Sequence, residues 1–204
     1  MRIFAIGRNY AEHITELNNE RPDEPVIFTK PDSALLLNNA PFVHPAYSKD
    51  IHHEIELVLK ISKEGKEIQE KDALQYIDSI GLGVDFTARD LQQKAKDKGL
   101  PWDIAKGFDH SAPLSNVFHP LSDFSDLKNI NFSLLIDGQM RQSGNTSLML
   151  FPFEYIISYL SKFFTLKPGD LIFTGTPKGV SAVKPGNRLT GFIENEKLLD
   201  FEVR

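Results

Sequence analysis

Cysteine is absent from the 204 residues, which excludes a disulfide framework, a thiolate metal site and a cysteine nucleophile. Long apolar runs are absent too. Nothing approaches the ~18 residues of a membrane span, and MRIFAIGRNY has only a short apolar run before polar residues, unlike a signal peptide. A cytoplasmic protein without a membrane partner is expected. Lys and Arg number 23 against 28 Asp and Glu, a net charge of −5 with no basic cluster to offset it, so nucleic acid is excluded as a partner. There is no internal repeat, Ser/Gly linker or charge block to mark a boundary, and residues 1–204 read as one domain. What is there, 41% hydrophobic and 25% charged side chains, suits a globular fold with one sizeable core. Chemistry must then come from Asp, Glu, His, Lys, Ser or a bound metal.

Ile3 to Ile6 predicts a short strand ending at Gly7, and Tyr10 to Leu17 a short helix with His13 and Glu16 spaced i,i+3 on one face. Pro22, Pro25 and Pro31 keep Val26 to Thr29 extended. In the next strand Ile55, Leu57, Leu59 and Ile61 alternate with Glu54, Glu56, Val58 and Lys60, so one face is apolar and the other begins with two carboxylates. Glu70 to Ile77 predicts a helix and Gly81 to Phe86 a strand that leaves Asp85 at its end. Thr87 is expected to cap a polar helix with Asp90 three residues on. Asp137-Gly138 between apolar alternations predicts a hairpin. Phe153 to Phe164 keeps helical spacing, with Pro152 suited to the first turn. Leu171 to Thr174, Arg188 to Ile193 and Lys197 to Val203 return to strand. The fold class expected is α+β, predominantly β, with few helices.

Glu54 and Glu56, two apart on a strand, project from one face, where paired anions call for a cation. With Asp85 from another strand end they form an all-oxygen set suited to Mg2+ or Mn2+ rather than zinc. The competing reading makes Glu-x-Glu the solvated face of an edge strand. His52 and His53 are adjacent on a strand and point to opposite faces, which disfavours a shared metal. His13 and Glu16 suit a general base with an orienting carboxylate, or a surface pair. Lys106, in a locally apolar stretch, meets either an anionic substrate or solvent at the end of its stem. The loop Thr174-Gly175-Thr176-Pro177 with Gly179 has amides and hydroxyls for a carboxylate, but lacks the Gly-Lys-Ser/Thr ending of a P-loop.

In order along the chain, Gly7-Arg8-Asn9-Tyr10-Ala11-Glu12-His13, Phe28-Thr29-Lys30-Pro31, His53-Glu54-Ile55-Glu56-Leu57, Asp85-Phe86-Thr87-Ala88-Arg89-Asp90-Leu91-Gln92, Ala105-Lys106-Gly107-Phe108-Asp109 and Gly169 to Val180 resemble the fumarylacetoacetate hydrolase family. The length and the segment Pro152 to Thr165 look most like its acylpyruvate hydrolase and oxaloacetate decarboxylase branch. The resemblance implies a mixed β-roll with a few short helices, a homodimer, and Mg2+ or Mn2+ held by Glu54, Glu56 and Asp85. It implies a catalytic dyad of His13 and Glu16 on a closing lid, with Arg89, Gln92, Lys106 and Thr176 lining the pocket. The substrate implied is a small β-keto acid, cleaved at a C–C bond through a metal-stabilised pyruvate enolate to whose oxygens Lys106 adds positive charge. The alternative activity is isomerisation or hydrolysis of a longer unsaturated dicarboxylate.

Overall fold

The computed structural model describes residues 1–16 and 20–204. A six-stranded mixed sheet carries the centre of the molecule, in the order Val26–Lys30, Ile3–Gly7, Leu171–Phe173, Ile55–Ile61, Ile77–Val84, His119–Pro120. Only Ile3–Gly7 with Leu171–Phe173 runs parallel within it; the other neighbours are antiparallel. A four-stranded antiparallel sheet, Gln139–Asn145, Asn131–Ile136, Arg188–Ile193, Glu196–Glu202, packs beside it. Two small sheets complete the set: Ser181–Ala182, Ile51–His53 and Thr87–Ala88, then Leu35–Leu36 with Ala112–Pro113. The helices are few and short: α1 Ala11–Glu16, α2 Arg89–Lys98, α3 Asp103–Lys106 and α4 Phe153–Phe163. The predominantly β, mixed architecture matches the expectation.

The core explains the arrangement. Ile55, Leu57, Leu59 and Ile61 join Leu82, Val84, Leu134, Leu189 and Phe201 in one buried cluster between the two large sheets. On the opposite face Val58 packs with Ile3, Ala5, Leu171 and Phe173. The strand Ile55–Ile61 is therefore interior, exposed only at Lys60. This overturns the edge-strand reading of Glu-x-Glu: the strand is flanked on both sides, and Glu54 and Glu56 are 5% and 2% exposed.

Four local expectations need correction. Glu70–Tyr76 winds as a 3-10 helix rather than an α-helix, burying only Ala73, and Ile77 already belongs to the next strand. That strand starts at Ile77 and ends at Val84. Thr87 does not cap α2: it pairs with His52 as a short strand, and its hydroxyl donates back to Asp85 O at 3.3 Å. Asp90 instead accepts Ser48 Oγ at 2.7 Å and Lys49 N at 3.2 Å, tying α2 to the preceding loop. Pro152 stands just before the first turn of α4, at its cap. The helix expected to reach Leu17 is seen to Glu16; Leu17 lies outside the described residues.

Candidate active site

Three strand ends and two helices bring the charges together. Asp85 follows the strand that ends at Val84, beside the start of Ile55–Ile61; Asp85 N donates to Glu54 O at 2.8 Å. The Glu54, Glu56 and Asp85 carboxylates have oxygens all within 4.8 Å of one another, and all three are buried. Such a set is unstable without cations. Lys106, at the end of α3, supplies one: its Nζ donates to Glu54 Oε2 at 2.7 Å and Asp85 Oδ2 at 2.6 Å. Arg89, the first residue of α2, donates from Nη2 to Glu54 Oε1 and from Nη1 to Gln92 Oε1 at 2.6 Å. Lys106 is thus a buried ion-pair partner, and the reading that sends its head to solvent is excluded by 3% exposure.

The electrostatics divide the two glutamates. Against the desolvation that raises it, the Lys106 ammonium and Arg89 guanidinium hold Glu54 well below the usual carboxylate range. Glu56 is pushed well above that range by burial and then by the Asp85 and Glu54 charges; Gly175 N donates to its Oε2 at 2.8 Å. Against its own desolvation, Lys106 is raised by Asp85 and Glu54.

These residues fit a divalent cation. The donors are all carboxylate oxygens, the set preferred by hard Mg2+ and Mn2+. One buried oxygen, Asp85 Oδ1, accepts no hydrogen bond among the described residues. Lys30 Nζ lies 2.7 Å from it as an ion pair without hydrogen-bond alignment. The lone pairs of that atom are left for a metal, and a cation there would offset the Asp85 and Glu54 charges that raise Glu56.

His13 and Glu16 meet as their spacing requires, Nδ1 to Oε2 at 3.2 Å. His13 is buried, and desolvation lowers its pKa despite the Glu54 and Glu16 carboxylates that raise it. With Nδ1–H directed to Glu16, Nε2 keeps a lone pair. Glu16 is itself held by Gly179 N, at 3.0 and 3.2 Å to its two oxygens. The loop after Leu171–Phe173 therefore binds carboxylates of the protein itself, Glu56 through Gly175 and Glu16 through Gly179. Gly175 has φ +102° and a Cβ there would sit 2.7 Å from Asn9 Cβ, so only glycine allows the approach.

One pocket is lined by His13, Glu54, Glu56, Asp85, Arg89, Gln92, Lys106 and Thr176. Of the residues expected at the site only Glu16 stands behind this wall. Arg8, Phe28, Lys96 and Trp102 line it as well and were missed, though Lys96 falls seven residues after Arg89 on the same helical face. Lys30 and Gln142 were also missed. Lys30 Nζ donates to Ser111 Oγ at 3.0 Å and to Lys106 O, which fixes Asp85 and Lys106 together. Gln142 accepts from Ile55 N at 3.0 Å and donates to Thr176 Oγ1 and Pro177 O, both at 2.8 Å. The two histidines before Glu54 serve elsewhere. His53 sits between Gln142 Oε1 at 2.8 Å and Ser181 Oγ at 2.9 Å, lowered to a pKa of about 4 mainly by burial. His52 pairs with Asp50 at 2.9 Å.

This constellation on this mixed sheet has known counterparts. Residues 2–200 match the family model described as fumarylacetoacetate (FAA) hydrolase C-terminal, and the chain belongs to that family of enzymes. It is 47% identical over 186 residues to the mitochondrial oxaloacetate decarboxylase of Dictyostelium discoideum, covering 91% of this chain and 85% of that one. It is 42% identical to the mitochondrial oxaloacetate tautomerase of Bos taurus, over 98% of this chain and 90% of the relative. The crystal structure of fumarylpyruvate hydrolase from Pseudomonas aeruginosa in complex with Mn2+ and pyruvate superposes with a TM-score of 0.93 at 37% identity. The match spans 100% of this chain and 89% of that one. Both curated relatives are mitochondrial, which departs from the cytoplasmic expectation; among the described residues no helix is long and apolar enough to cross a membrane.

Proposed function

We propose that this protein is a divalent-metal-dependent enzyme that cleaves a C–C bond of β-keto acids, by acylpyruvate hydrolysis, oxaloacetate decarboxylation or both. The observation that carries it is the buried triad Glu54, Glu56, Asp85 facing one pocket with Lys106, Arg89 and the His13–Glu16 pair. The names of the relatives support the substrate class, and the Mn2+ of the solved neighbour supports the metal. When bound, Mg2+ or Mn2+ supplies Lewis-acid stabilisation of the pyruvate enolate that leaves as the bond breaks.

The remaining work falls to side chains. Arg89, Gln92 and Thr176 bind and orient the keto acid, and Lys106 adds positive charge where the enolate develops. For an acylpyruvate, His13 Nε2 takes a proton from water as the water oxygen bonds to the distal carbonyl carbon. Glu16 stabilises the imidazolium that results. Collapse of the tetrahedral adduct breaks the C–C bond, the electron pair passes to the enolate, and His13 returns its proton to the enolate carbon. The products are a carboxylic acid and pyruvate. For oxaloacetate, loss of carbon dioxide gives the same enolate without water attack. The bovine relative's name favours a second reading, keto–enol tautomerisation of oxaloacetate, in which His13 takes the enol oxygen's proton and returns it to the neighbouring carbon, and no C–C bond breaks. The homodimer implied by the family resemblance is retained in the proposal.

EDTA-stripped protein assayed with acetylpyruvate and with oxaloacetate, each with and without Mg2+ or Mn2+, tests the reading. Metal-restored pyruvate release above the metal-only background is the expected result. Enol-to-keto conversion without any pyruvate would replace cleavage by tautomerisation.

A further inference from the structure

Gln142 stands on the hairpin strand Gln139–Asn145, is 1% exposed and does not itself line the catalytic pocket. An amide side chain has two lone pairs and two protons to place, and here all four are used. Oε1 accepts Ile55 N at 3.0 Å and lies 2.8 Å from His53 Nδ1; Nε2 donates to Thr176 Oγ1 and Pro177 O, both at 2.8 Å. Two of these partners can play only one part, because a backbone N–H donates and a backbone carbonyl accepts. Ile55 N and Pro177 O therefore fix which end of the amide is oxygen and which is nitrogen. A flipped amide would set donor against donor and acceptor against acceptor.

The consequence falls on Thr176. A threonine hydroxyl donates or accepts as its surroundings ask. With Gln142 Nε2 donating to it, Thr176 Oγ1 is the acceptor in that bond, and its own proton must point elsewhere. Among the described residues it donates to none, and Thr176, 3% exposed, lines the pocket with Glu54, Glu56, Asp85 and Lys106. An oxygen of a bound keto acid is the acceptor that remains.

The same amide reaches the carboxylate-bearing strand. Ile55 lies between Glu54 and Glu56, so one side chain ties those carboxylates to the loop that carries Thr176. The loop also rests on the strand itself, since a Cβ on Gly179 would collide with Arg141 O and lie 3.3 Å from Gln142 Cγ.

We infer that Gln142 is a positioning residue for the keto-acid substrate: it commits the Thr176 hydroxyl as a donor to a substrate oxygen and holds that donor in register with Glu54 and Glu56. The inference rests on the keto-acid reading of the pocket and adds to it a residue that touches no substrate.

Pyruvate, the product common to both proposed cleavages, probes it by calorimetry on Mg2+-loaded full-length protein. Gln142→Glu keeps an oxygen for Ile55 N and His53 Nδ1, but a carboxyl group has at most one proton where the amide has two, so the donor to Thr176 is lost or contested by Pro177 O. Pyruvate affinity is expected to fall about ten-fold or more, the scale of one charge-assisted hydrogen bond, with Mg2+ affinity retained. Loss of Mg2+ affinity in step with pyruvate would reduce Gln142 to a support of the strand and overturn the assignment. Thr176→Val should cost a similar factor, and in that background Gln142→Glu should cost nothing further. Repulsion by an added negative charge would instead weaken pyruvate in both backgrounds alike; additive losses, or unchanged affinity in Thr176→Val, overturn the inference. Hydrogen exchange of the Gln142 side-chain amide in the unaltered protein reads the anchoring even if Gln142→Glu does not fold. Both protons are expected to be protected, and exchange of either at the rate of a free amide would overturn it. In turnover of acetylpyruvate and oxaloacetate the loss in Gln142→Glu should appear in KM; a loss confined to kcat would place Gln142 in the service of His13 and Glu16 and overturn it too. Failure of pyruvate to bind the unaltered protein sinks the keto-acid reading and this inference with it. Thr176-dependent pyruvate binding without pyruvate release from either substrate keeps the inference and sinks only the cleavage.

Discussion

The two large sheets solve opposite problems. In the four-stranded sheet, Asn131–Ile136 and Arg188–Ile193 alternate buried and more open positions residue by residue, with Phe132, Leu134, Leu189 and Ile193 inward. Its stability comes from apolar burial, and each strand announces its inner face. In the six-stranded sheet Ile55–Ile61 is buried on both faces, and charge stands at the end where an apolar residue would pack better. There Glu54 and Asp85 are paired with Lys30, Lys106 and Arg89, drawn from three other segments, while Glu56 is held by Gly175 N. Buried ion pairs of this kind give little net stability over hydrophobic replacements. The difference marks where the fold was shaped for a ligand rather than for its own stability.

The largest effect separates the two regions most sharply. Asp85→Ala leaves the buried Lys30 and Lys106 ammonium groups without their shared partner, and should cost about 3–5 kcal/mol of stability together with divalent-metal binding and turnover. Leu189→Ala, in the apolar sheet, should cost a comparable ~2–5 kcal/mol by cavity formation yet leave metal affinity unchanged. Thermal unfolding with metal titration of both variants checks the contrast; loss of metal binding in Leu189→Ala would dissolve it. Next is His13→Ala, expected to lower acylpyruvate hydrolysis by ~10²–10⁴-fold and oxaloacetate decarboxylation much less, as parallel steady-state assays would show. Comparable losses on both substrates would contradict the division of labour.

The same contrast explains what could be read from the chain. The hairpin around Asp137-Gly138 was legible because its pairing, Ile136 opposite Gln139, is local. The carboxylates were legible as residue types, but Glu-x-Glu is the same pattern on a central strand and on an edge; only the flanking of Ile55–Ile61 decides between them. Lys30 went unassigned because its partner Asp85 is far along the chain. Gln142, a polar residue on a hairpin strand, went unassigned as well, yet it is 1% exposed and uses its amide to join His53, Ile55, Thr176 and Pro177. Ordered family motifs located the pocket wall, while the side chains that hold that wall were visible only in three dimensions.

A smaller effect concerns protons. Burial holds the His13 imidazole below its ordinary 6.5, so the neutral base is intact at pH 7 and is lost only as pH falls through the lowered value. Hydrolysis should therefore be flat above about pH 6.5 and decline on a more acidic limb. Glu16 raises the His13 pKa by hydrogen bond and charge, so Glu16→Gln should move that limb further toward acid while lowering the plateau. A pH–rate profile of both proteins reads the direction, and a limb shifted toward alkali would show that Glu16 does not act on His13.

The smallest effect belongs to the apolar sheet and should leave the pocket untouched. Asp137 and Gly138 both have positive φ, 52° and 76°, as a two-residue turn between right-twisted strands requires. Asp137 also caps the neighbouring strand, accepting Arg188 N at 2.8 Å and Asn187 Nδ2 at 2.7 Å. A Cβ on Gly138 would meet nothing within 4 Å, so Gly138→Ala carries only the left-handed backbone penalty of about 1–2 kcal/mol. Chemical denaturation should show that loss with unaltered metal affinity and unaltered keto-acid turnover. A change in either would mean that the hairpin, for all its distance in sequence from Glu54 and Asp85, is mechanically joined to them through Gln142, two residues beyond Met140 on the returning strand.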